Sequence, residues 1–413
     1  MSEYQYYEFQ SLDQPLSDEA QDAIHALSSR VQLTSSQAIF VYNYGNFRGD
    51  PYDVLVEYFD AMLYITNWGS RHLAFRFPKA AIDLPALRPY LFRHSITVEE
   101  NGDYIVLSIA FEDEGGDNWE YIDDADAEKM LSQMTPMRED LMRGDMRLLY
   151  LAWLKFAIYS SESHDYEDYD DDNEEEKVYQ DDDENAETVE DKKAVPDAIA
   201  ELIEPPVPAN LDKLSRAHRS FIAFIGLDPD LVTSAAQASR SIEETAAPLN
   251  QFVSALSDAE KDDFLLRLLH GEPRLDLTLR SRLRRFSTDK DKDEADPSPE
   301  KRRSIVQLSA LTAEVKKVRE AEIRRQVAEK LRARLKEVEA NQDKLWSDVR
   351  VSIERRNPRG YDDAVSILTD FHTLAKERRQ LPAFQEKVRA LLSRYPALRS
   401  LHSRVKEARV LED

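Results

Sequence analysis

The spacing at which apolar residues recur changes several times within residues 1–160. Leucine and phenylalanine occupy alternate positions over 71–77, which is the period-two pattern of a half-buried strand. Over 52–62 and 146–159 the apolar residues instead recur every three or four positions, which predicts helices that pack on one face. This alternation predicts an α+β fold, with a mixed α/β-sheet domain over 1–160 as the front domain.

A β-hairpin is predicted within residues 96–107. Two runs rich in β-branched and aliphatic residues, 96–98 and 104–107, lie on either side of Asn101-Gly102. An Asn-Gly pair readily adopts the positive φ angles that a tight hairpin turn requires. We therefore expect the two runs to pair as adjacent antiparallel strands.

Residues 161–208 have the composition of a linker. The part from 161 to 195 contains 17 acidic and three basic residues and almost no aliphatic ones. Its like charges repel, and its few apolar side chains cannot offset the entropy lost on folding. Pro205, Pro206 and Pro208 then stiffen the chain. We expect an acidic and then proline-rich disordered tether here, and with it a domain boundary.

The remainder of the chain is predicted to be all α-helical. Over 209–286 apolar residues recur every three or four positions, with His218 inside the stripe, which predicts a helical domain. Ser257 and Glu260 form a capping-box pattern at the start of a helix. A second polar linker is predicted over 287–303.

Residues 304–356 contain neither glycine nor proline and are rich in good helix formers, which predicts one long helix. Its apolar positions step by four from Ile323 and then alternate steps of four and three from Leu331 to Val349. A heptad seam with a stutter has this pattern, so the helix is predicted to be coiled-coil-like. A helical hairpin or short bundle is predicted over 357–413.

The net charge of −25 is unevenly distributed along the 413 residues. Residues 1–160 carry 26 acidic and 12 basic residues, whereas 301–413 carry 17 acidic and 27 basic ones. Covalent attachment keeps oppositely charged segments at a high effective concentration. We expect the acidic linker and the basic C-terminal region to contact each other, within one molecule or between two.

No pattern in the chain predicts export or membrane insertion. The N-terminus has acidic and aromatic residues where a secretory signal has basic and then apolar ones. The most apolar runs, such as 221–227, are far shorter than the roughly 20 residues of a spanning helix. Cysteine is absent, which excludes disulfides and cysteine-bound zinc and fits a reducing compartment. We expect a cytoplasmic protein that does not enter a membrane.

No familiar catalytic or cofactor-binding motif is present. The ten glycines form neither a dinucleotide fingerprint nor a phosphate-binding loop, and no serine lies in a G-x-S-x-G turn. The eight histidines are isolated, although His72 and His94 share the front domain. Acidic residues over 289–300 match the ligand spacing of an EF-hand, but Glu294 replaces the glycine that its turn requires. We expect no cofactor and no metal, and the sequence identifies no catalytic residue.

Two groups of arginines form a candidate contact surface for phosphates. They are Arg280, Arg282, Arg284 and Arg285 before the second linker, and Arg324, Arg325, Arg332 and Arg334 on the long helix. The alternative is a solvated helix face, because acidic residues lie four positions from several of the arginines and can form ion pairs with them. Aromatic side chains that would stack on bases are nearly absent from this stretch.

Three strings in the first 160 residues carry a resemblance. They read EYQYYEFQ at 3–10, YITNWG at 64–69 and GDMRLLYLAW at 144–153. The strings resemble an uncharacterised family of bacterial proteins without an assigned activity. The resemblance implies a bacterial cytosolic setting and assigns no role to any residue.

Three functions are compatible with these patterns. The leading hypothesis is a non-enzymatic interaction or regulatory protein that binds a protein partner through its aromatic-rich front domain, its long helix, or both. The second is a nucleic-acid-binding protein that uses the basic region 274–356. The third is an enzyme with a site in the front domain, which a pocket joining His72 or His94 to a carboxylate and an arginine would favour.

Overall fold

The chain forms two compact units, an N-terminal unit (Met1–Val315) and a C-terminal unit (Lys316–Asp413). The first contains an antiparallel sheet with helices, and the described part of the second is helical, which confirms the α+β class. No helix within the described residues is long and apolar enough to cross a membrane. The computed structural model describes residues 4–111, 124–163, 202–241, 249–272 and 302–411, and several positions between 275 and 286.

Seven strands form the sheet of the N-terminal unit, in the order β2-β3-β1-β4-β5-β7-β6, and neighbours are antiparallel. The strands are β1 (Gln5–Gln10), β2 (Gln32–Leu33), β3 (Gln37–Tyr42), β4 (Ala61–Thr66), β5 (Arg71–Pro78), β6 (Ile96–Asn101) and β7 (Tyr104–Phe111). The hairpin predicted at Asn101-Gly102 is confirmed, because β6 pairs with β7 from Asn101 opposite Tyr104 and Gly102 has a φ of +56°.

Helices cover both faces of the sheet. Phe9 and Met62 face α1 (Asp18–Leu27) and α2 (Pro51–Tyr58) in one apolar cluster. Leu63 and Phe75, whose side chains point to the opposite face, pack in a second and larger cluster with the remaining helices. These helices are α3 (Leu84–Leu87), α4 (Asp124–Met134), α5 (Pro136–Met142), α6 (Arg147–Ser163), α7 (Arg216–Ile225) and α8 (Pro229–Ala236).

Helices α7 and α8 share the hydrophobic core of the sheet. Phe221, Phe224 and Ile225 of α7 are at most 1% exposed and lie in one cluster with Trp153 of α6. This packing differs from the separate helical domain predicted over 209–286. The difference arises because the apolar stripe of α7 is buried against α4 and α6, which precede the acidic run in the sequence.

The proline-rich segment before α7 also packs on the N-terminal unit. Glu204 is 2% exposed, and the hydroxyl of Tyr90 donates a hydrogen bond to the carbonyl of Pro206 at 2.8 Å. Residues 202–208 are therefore an ordered part of this unit and not the end of a disordered tether. The acidic part of the predicted tether, 164–195, lies outside the described residues.

A buried ion pair joins this segment to the beginning of the next helix. Arg303 donates from Nη2 and Nε to the two carboxylate oxygens of Glu204, at 2.6 and 2.7 Å, and the hydroxyl of Tyr150 also donates to Glu204. Ile203 and Ser304 form an antiparallel bridge beside the pair. We call these five residues the clamp. Arg303 is the last residue of the second predicted linker. Its hydrogen bonds in the clamp make this end of the linker part of the folded N-terminal unit.

Further helices follow among the described residues. Ser257 caps the first of them, and both hydrogen bonds of the predicted capping box with Glu260 are formed. Those with defined bounds are α9 (Asp258–Leu269), α10 (Ile305–Ala340), α11 (Gln342–Glu354), α12 (Pro358–Glu377), α13 (Leu381–Leu392) and α14 (Arg399–Glu407).

The helices of the C-terminal unit have their own core. Phe371 of α12, Val388 of α13 and Val405 of α14 are at most 5% exposed and lie in one apolar cluster. Trp346 of α11 stacks on Phe371, with ring centroids 4.9 Å apart and 15° between the planes. This packing confirms the short helical bundle predicted for the end of the chain.

The long helix predicted over 304–356 is interrupted at Asn341. Helix α10 ends at Ala340 and α11 begins at Gln342, and Asn341 has a φ of −117° and a ψ of 27°. Both the side-chain amide and the backbone N–H of Asn341 donate to the Glu337 carbonyl, at 2.9 and 3.1 Å. Such local bonding by asparagine competes with helix continuation, so the helix breaks without glycine or proline.

Candidate functional site

The first predicted arginine group is only partly within the described residues, because Arg284 and Arg285 lie outside them. Arg282 binds Glu260 of α9, with Nε and Nη2 at 2.9 and 2.8 Å from one carboxylate oxygen. Its guanidinium also lies 4.5 Å from the ring centroid of Phe286. Arg280 is half exposed and lies 3.9 Å from Asp276. Arg282 therefore holds neighbouring segments together and is not free to bind phosphate.

Three of the four predicted arginines on α10 form ion pairs. Arg324 pairs with Glu320 at 3.5 Å and Arg325 with Glu322 at 2.9 Å, each within one turn of the helix. Arg334 binds Asp370 of α12 at 2.9 Å. Arg332 is exposed and forms no ion pair with any described residue. The acid–base ladder that the sequence offered as the alternative to phosphate binding is thus present.

Three apolar side chains of α10 form an exposed stripe. Ile323, Val327 and Leu331 are 48, 60 and 46% exposed. They are four residues apart, so they follow one ridge of the helix surface. Leu335, the next residue at that spacing, is 5% exposed and packs in the C-terminal core. Of the predicted seam, Leu335, Val338 and Val349 are therefore buried, whereas the apolar positions from Ile323 to Leu331 are open to solvent.

Basic residues surround the exposed stripe. Residues 316–334 contain eight lysines and arginines and three glutamates, a net charge of +5 in a chain whose total charge is −25. The sequence indicated both the positive charge and the apolar spacing. It did not indicate that the apolar positions lack a covering helix, because a heptad seam normally implies one.

An enzyme would be favoured by a front-domain pocket in which His72 or His94 meets a carboxylate and an arginine. His94 is exposed, whereas His72 lines a cavity of about 250 Å³ with Asp50, Tyr52 and Ser108 among its walls. The Nε2 of His72 is hydrogen-bonded to the hydroxyl of Ser108. Burial lowers the pKa of His72 to about 4, so its imidazole is neutral at pH 7. No arginine lines this cavity, and the complete predicted arrangement is not formed by the described residues.

The pair of His72 and Ser108 lacks the surroundings of a nucleophilic site. Ser108 lies within β7, which pairs with β5 on one side and β6 on the other, so the sheet engages the neighbouring backbone N–H groups. An oxyanion hole requires such groups to be free and aimed at the developing charge. A histidine with a pKa near 4 is also a weak general base.

We therefore expect that a fluorophosphonate probe does not label Ser108 in the folded chain. The measurement is intact mass spectrometry after incubation with the probe at pH 7.5, with Ser108→Ala as the matched control. Labelling of the natural chain that disappears in Ser108→Ala would instead support the enzyme hypothesis.

A second buried histidine lies beside two carboxylates. One ligand-type atom from each of Asp140, Asp145 and His218 lies within 4.8 Å of the others. Burial, and next the nearby Arg147, lower the pKa of His218 to about 4, while Asp145 acts in the opposite direction. Arg147 occupies the carboxylate of Asp145, with Nε and Nη2 at 2.9 and 2.6 Å from Oδ2. The guanidinium therefore already compensates this carboxylate, and it also donates to the carbonyls of Asn210 and Lys213, which precede α7.

Comparison with known proteins adds no relative. No protein-family model, curated protein or solved structure matches the chain. The resemblance of the first 160 residues to a bacterial family therefore stays a prediction. The function must be argued from the surfaces of the molecule, and the exposed stripe of α10 with its basic surroundings is the most distinctive of them.

Proposed function

We propose that this protein is a non-enzymatic interaction protein whose helix α10 binds an acidic amphipathic helix of a partner protein. The observation that carries the proposal is the exposed stripe of Ile323, Val327 and Leu331, surrounded by a net charge of +5. An apolar ridge at helical spacing is the surface on which a partner helix docks.

The chemistry of the stripe favours protein over nucleic acid. A phosphate backbone offers nothing to cover three apolar side chains, whereas the apolar face of a helix does. Arg324, Arg325 and Arg334 already bind carboxylates, so each would have to exchange a partner before it contacted a phosphate. Such contacts are strongest when the basic side chains are free to neutralise phosphates.

Charge identifies the partner further. Two copies of residues 316–334 would each bring a net charge of +5 to the interface, and like charges opposed across an interface cost several kcal/mol. An acidic helix is attracted by the positive potential around the stripe. Complementary potentials of this kind also accelerate association. The second copy of the chain is therefore disfavoured as the occupant.

The expected affinity is modest. Fully burying an aliphatic side chain contributes about 1.5–3 kcal/mol, and the three stripe residues are already about half buried on average. Their remaining burial supplies on the order of 3 kcal/mol, which is less than association costs in lost freedom. The charged rim must supply the remainder, so binding should weaken as salt rises.

Site-specific photocrosslinking tests the proposal. A photoreactive amino acid at position 327 of the full chain, in a lysate of the source organism, is expected to capture an acidic protein. The same amino acid at position 329, which is about 200° away around the helix, is the matched control and should capture far less. Ile323→Glu with Leu331→Glu should abolish capture at 327, and raising the salt from about 0.05 to 0.5 M should weaken it.

Other outcomes would contradict the proposal. Capture of a second copy of the chain would show self-association through the stripe. A product that nuclease removes would support the nucleic-acid hypothesis, and equal capture at positions 327 and 329 would show that the stripe has no specific partner.

A further inference from the structure

A polar cleft lies in the N-terminal unit. It has a volume of about 510 Å³ and is bounded by the turn between α1 and β2 and by the loop between β3 and α2. Its walls include Ser28 and Arg30 from the turn and Asn43, Tyr44 and Arg48 from the loop. Clefts of 300–1,000 Å³ with a few convergent polar groups are typical of small-molecule sites.

The two arginines of this cleft have no carboxylate beside them. Arg30 and Arg48 form no ion pair with any described residue, and no acidic residue lines the cleft. By contrast, Arg76, Arg138 and Arg303 each bind a carboxylate within 3 Å. In a chain with 80 acidic residues, two arginines that converge without a carboxylate create a local site for an anion.

The loop that carries Tyr44 and Arg48 is held by the body of the unit. Gln5 donates from Nε2 to the carbonyl of Gly45 at 3.1 Å, and Gly45 adopts a φ of +87°, which favours glycine. Phe47 is buried, with its ring centroid 4.9 Å from that of Tyr7. The loop therefore presents its polar side chains from a fixed backbone, which limits the entropy that binding must remove.

We propose that this cleft binds a mononucleotide. A guanidinium binds phosphate oxygens in a planar, two-pronged geometry, which suits Arg30 and Arg48 to the phosphate. The side chain of Tyr44 is 80% exposed beside them and offers a flat face on which a base stacks. The amides of Asn43 and Asn46 and the Ser28 hydroxyl supply hydrogen bonds to the sugar and base.

Isothermal titration of the full chain with AMP tests this site, with inorganic phosphate and adenosine as separate probes. AMP is expected to bind more tightly than either probe alone. Arg30→Gln and Arg48→Gln should each weaken AMP binding by about tenfold or more. Tyr44→Ala should weaken AMP and adenosine but leave phosphate unchanged. Arg88→Gln, which removes an exposed arginine outside the cleft, is the matched control and should have no effect.

The substituted side chains are exposed, so circular dichroism should show the variants folded. The proposal would be overturned if AMP did not bind at millimolar concentration. It would also be overturned if Arg30→Gln and Arg48→Gln bound AMP as tightly as the natural chain. Phosphate binding as tight as AMP binding would overturn the assignment of a nucleotide. These results are independent of the crosslinking on α10, because the cleft and the stripe lie in different units.

Discussion

Replacing Arg303 by methionine is expected to lower the free energy of unfolding of the N-terminal unit by about 3–5 kcal/mol. The substitution leaves the carboxylate of Glu204, which is 2% exposed, with the Tyr150 hydroxyl as its remaining partner in the clamp. It also removes the hydrogen bonds from Arg303 to the carbonyls of Ser234 and Ala235, at 3.1 and 3.2 Å. An uncompensated buried charge is what makes the loss large.

Urea unfolding followed by tryptophan fluorescence measures this effect. Trp346 is the one tryptophan in the sequence of the C-terminal unit, so a Trp346→Phe background makes the signal report on the N-terminal unit. The double variant Glu204→Gln with Arg303→Met is the control, and it should recover part of the loss because no charge is left buried. A loss below about 1 kcal/mol in Arg303→Met would show that the clamp is solvated and contributes little.

The N-terminal unit is also expected to lose stability as the pH falls from about 6.5 towards 4. Burial lowers the pKa of both His72 and His218 to about 4 in the folded chain, against about 6.5 when unfolded. In this window the unfolded chain binds more protons, so protonation favours unfolding and the stability present above pH 6.5 is lost. Each histidine should contribute about 2 kcal/mol between pH 7 and pH 5.

Other buried groups act in the opposite direction. Burial raises the pKa of Glu8 and of Asp140, so the folded chain binds their protons more readily and gains stability as the pH falls. The contribution of each histidine to the pH dependence of the unfolding free energy is therefore measured with variants that lack that histidine. His72→Asn and His218→Asn should each reduce the slope of unfolding free energy against pH by up to one proton. Slopes equal to that of the natural chain would show that these histidines titrate normally in the folded state.

The sequence predicted elements whose signals are local. The Asn101-Gly102 turn and the Ser257 capping box depend on residues within a few positions of each other, and both are present. The clamp escaped prediction because Glu204 and Arg303 are 99 residues apart and no periodicity links them. Composition around the acidic run indicates local solvation but does not show where the flanking segments pack.

The sequence indicated the two proposed binding surfaces unevenly for the same reason. The arginines of α10 stood out because charge and helical spacing are visible along one segment. Arg30 and Arg48 lie in two separate connections, with ordinary polar neighbours, and only the fold brings them to one cleft. The break at Asn341 escaped notice because asparagine is compatible with both a helix interior and a helix end.

The order of the strands has a consequence for aggregation. An open sheet has two edges whose unpaired backbone groups can recruit a strand from another molecule. Here one edge is β2, which has two residues, and the other is β6, which carries the exposed Glu99 and Glu100. A very short strand offers little to pair with, and adjacent carboxylates repel an identical edge. The sheet is thereby protected against edge-to-edge polymerisation at both ends.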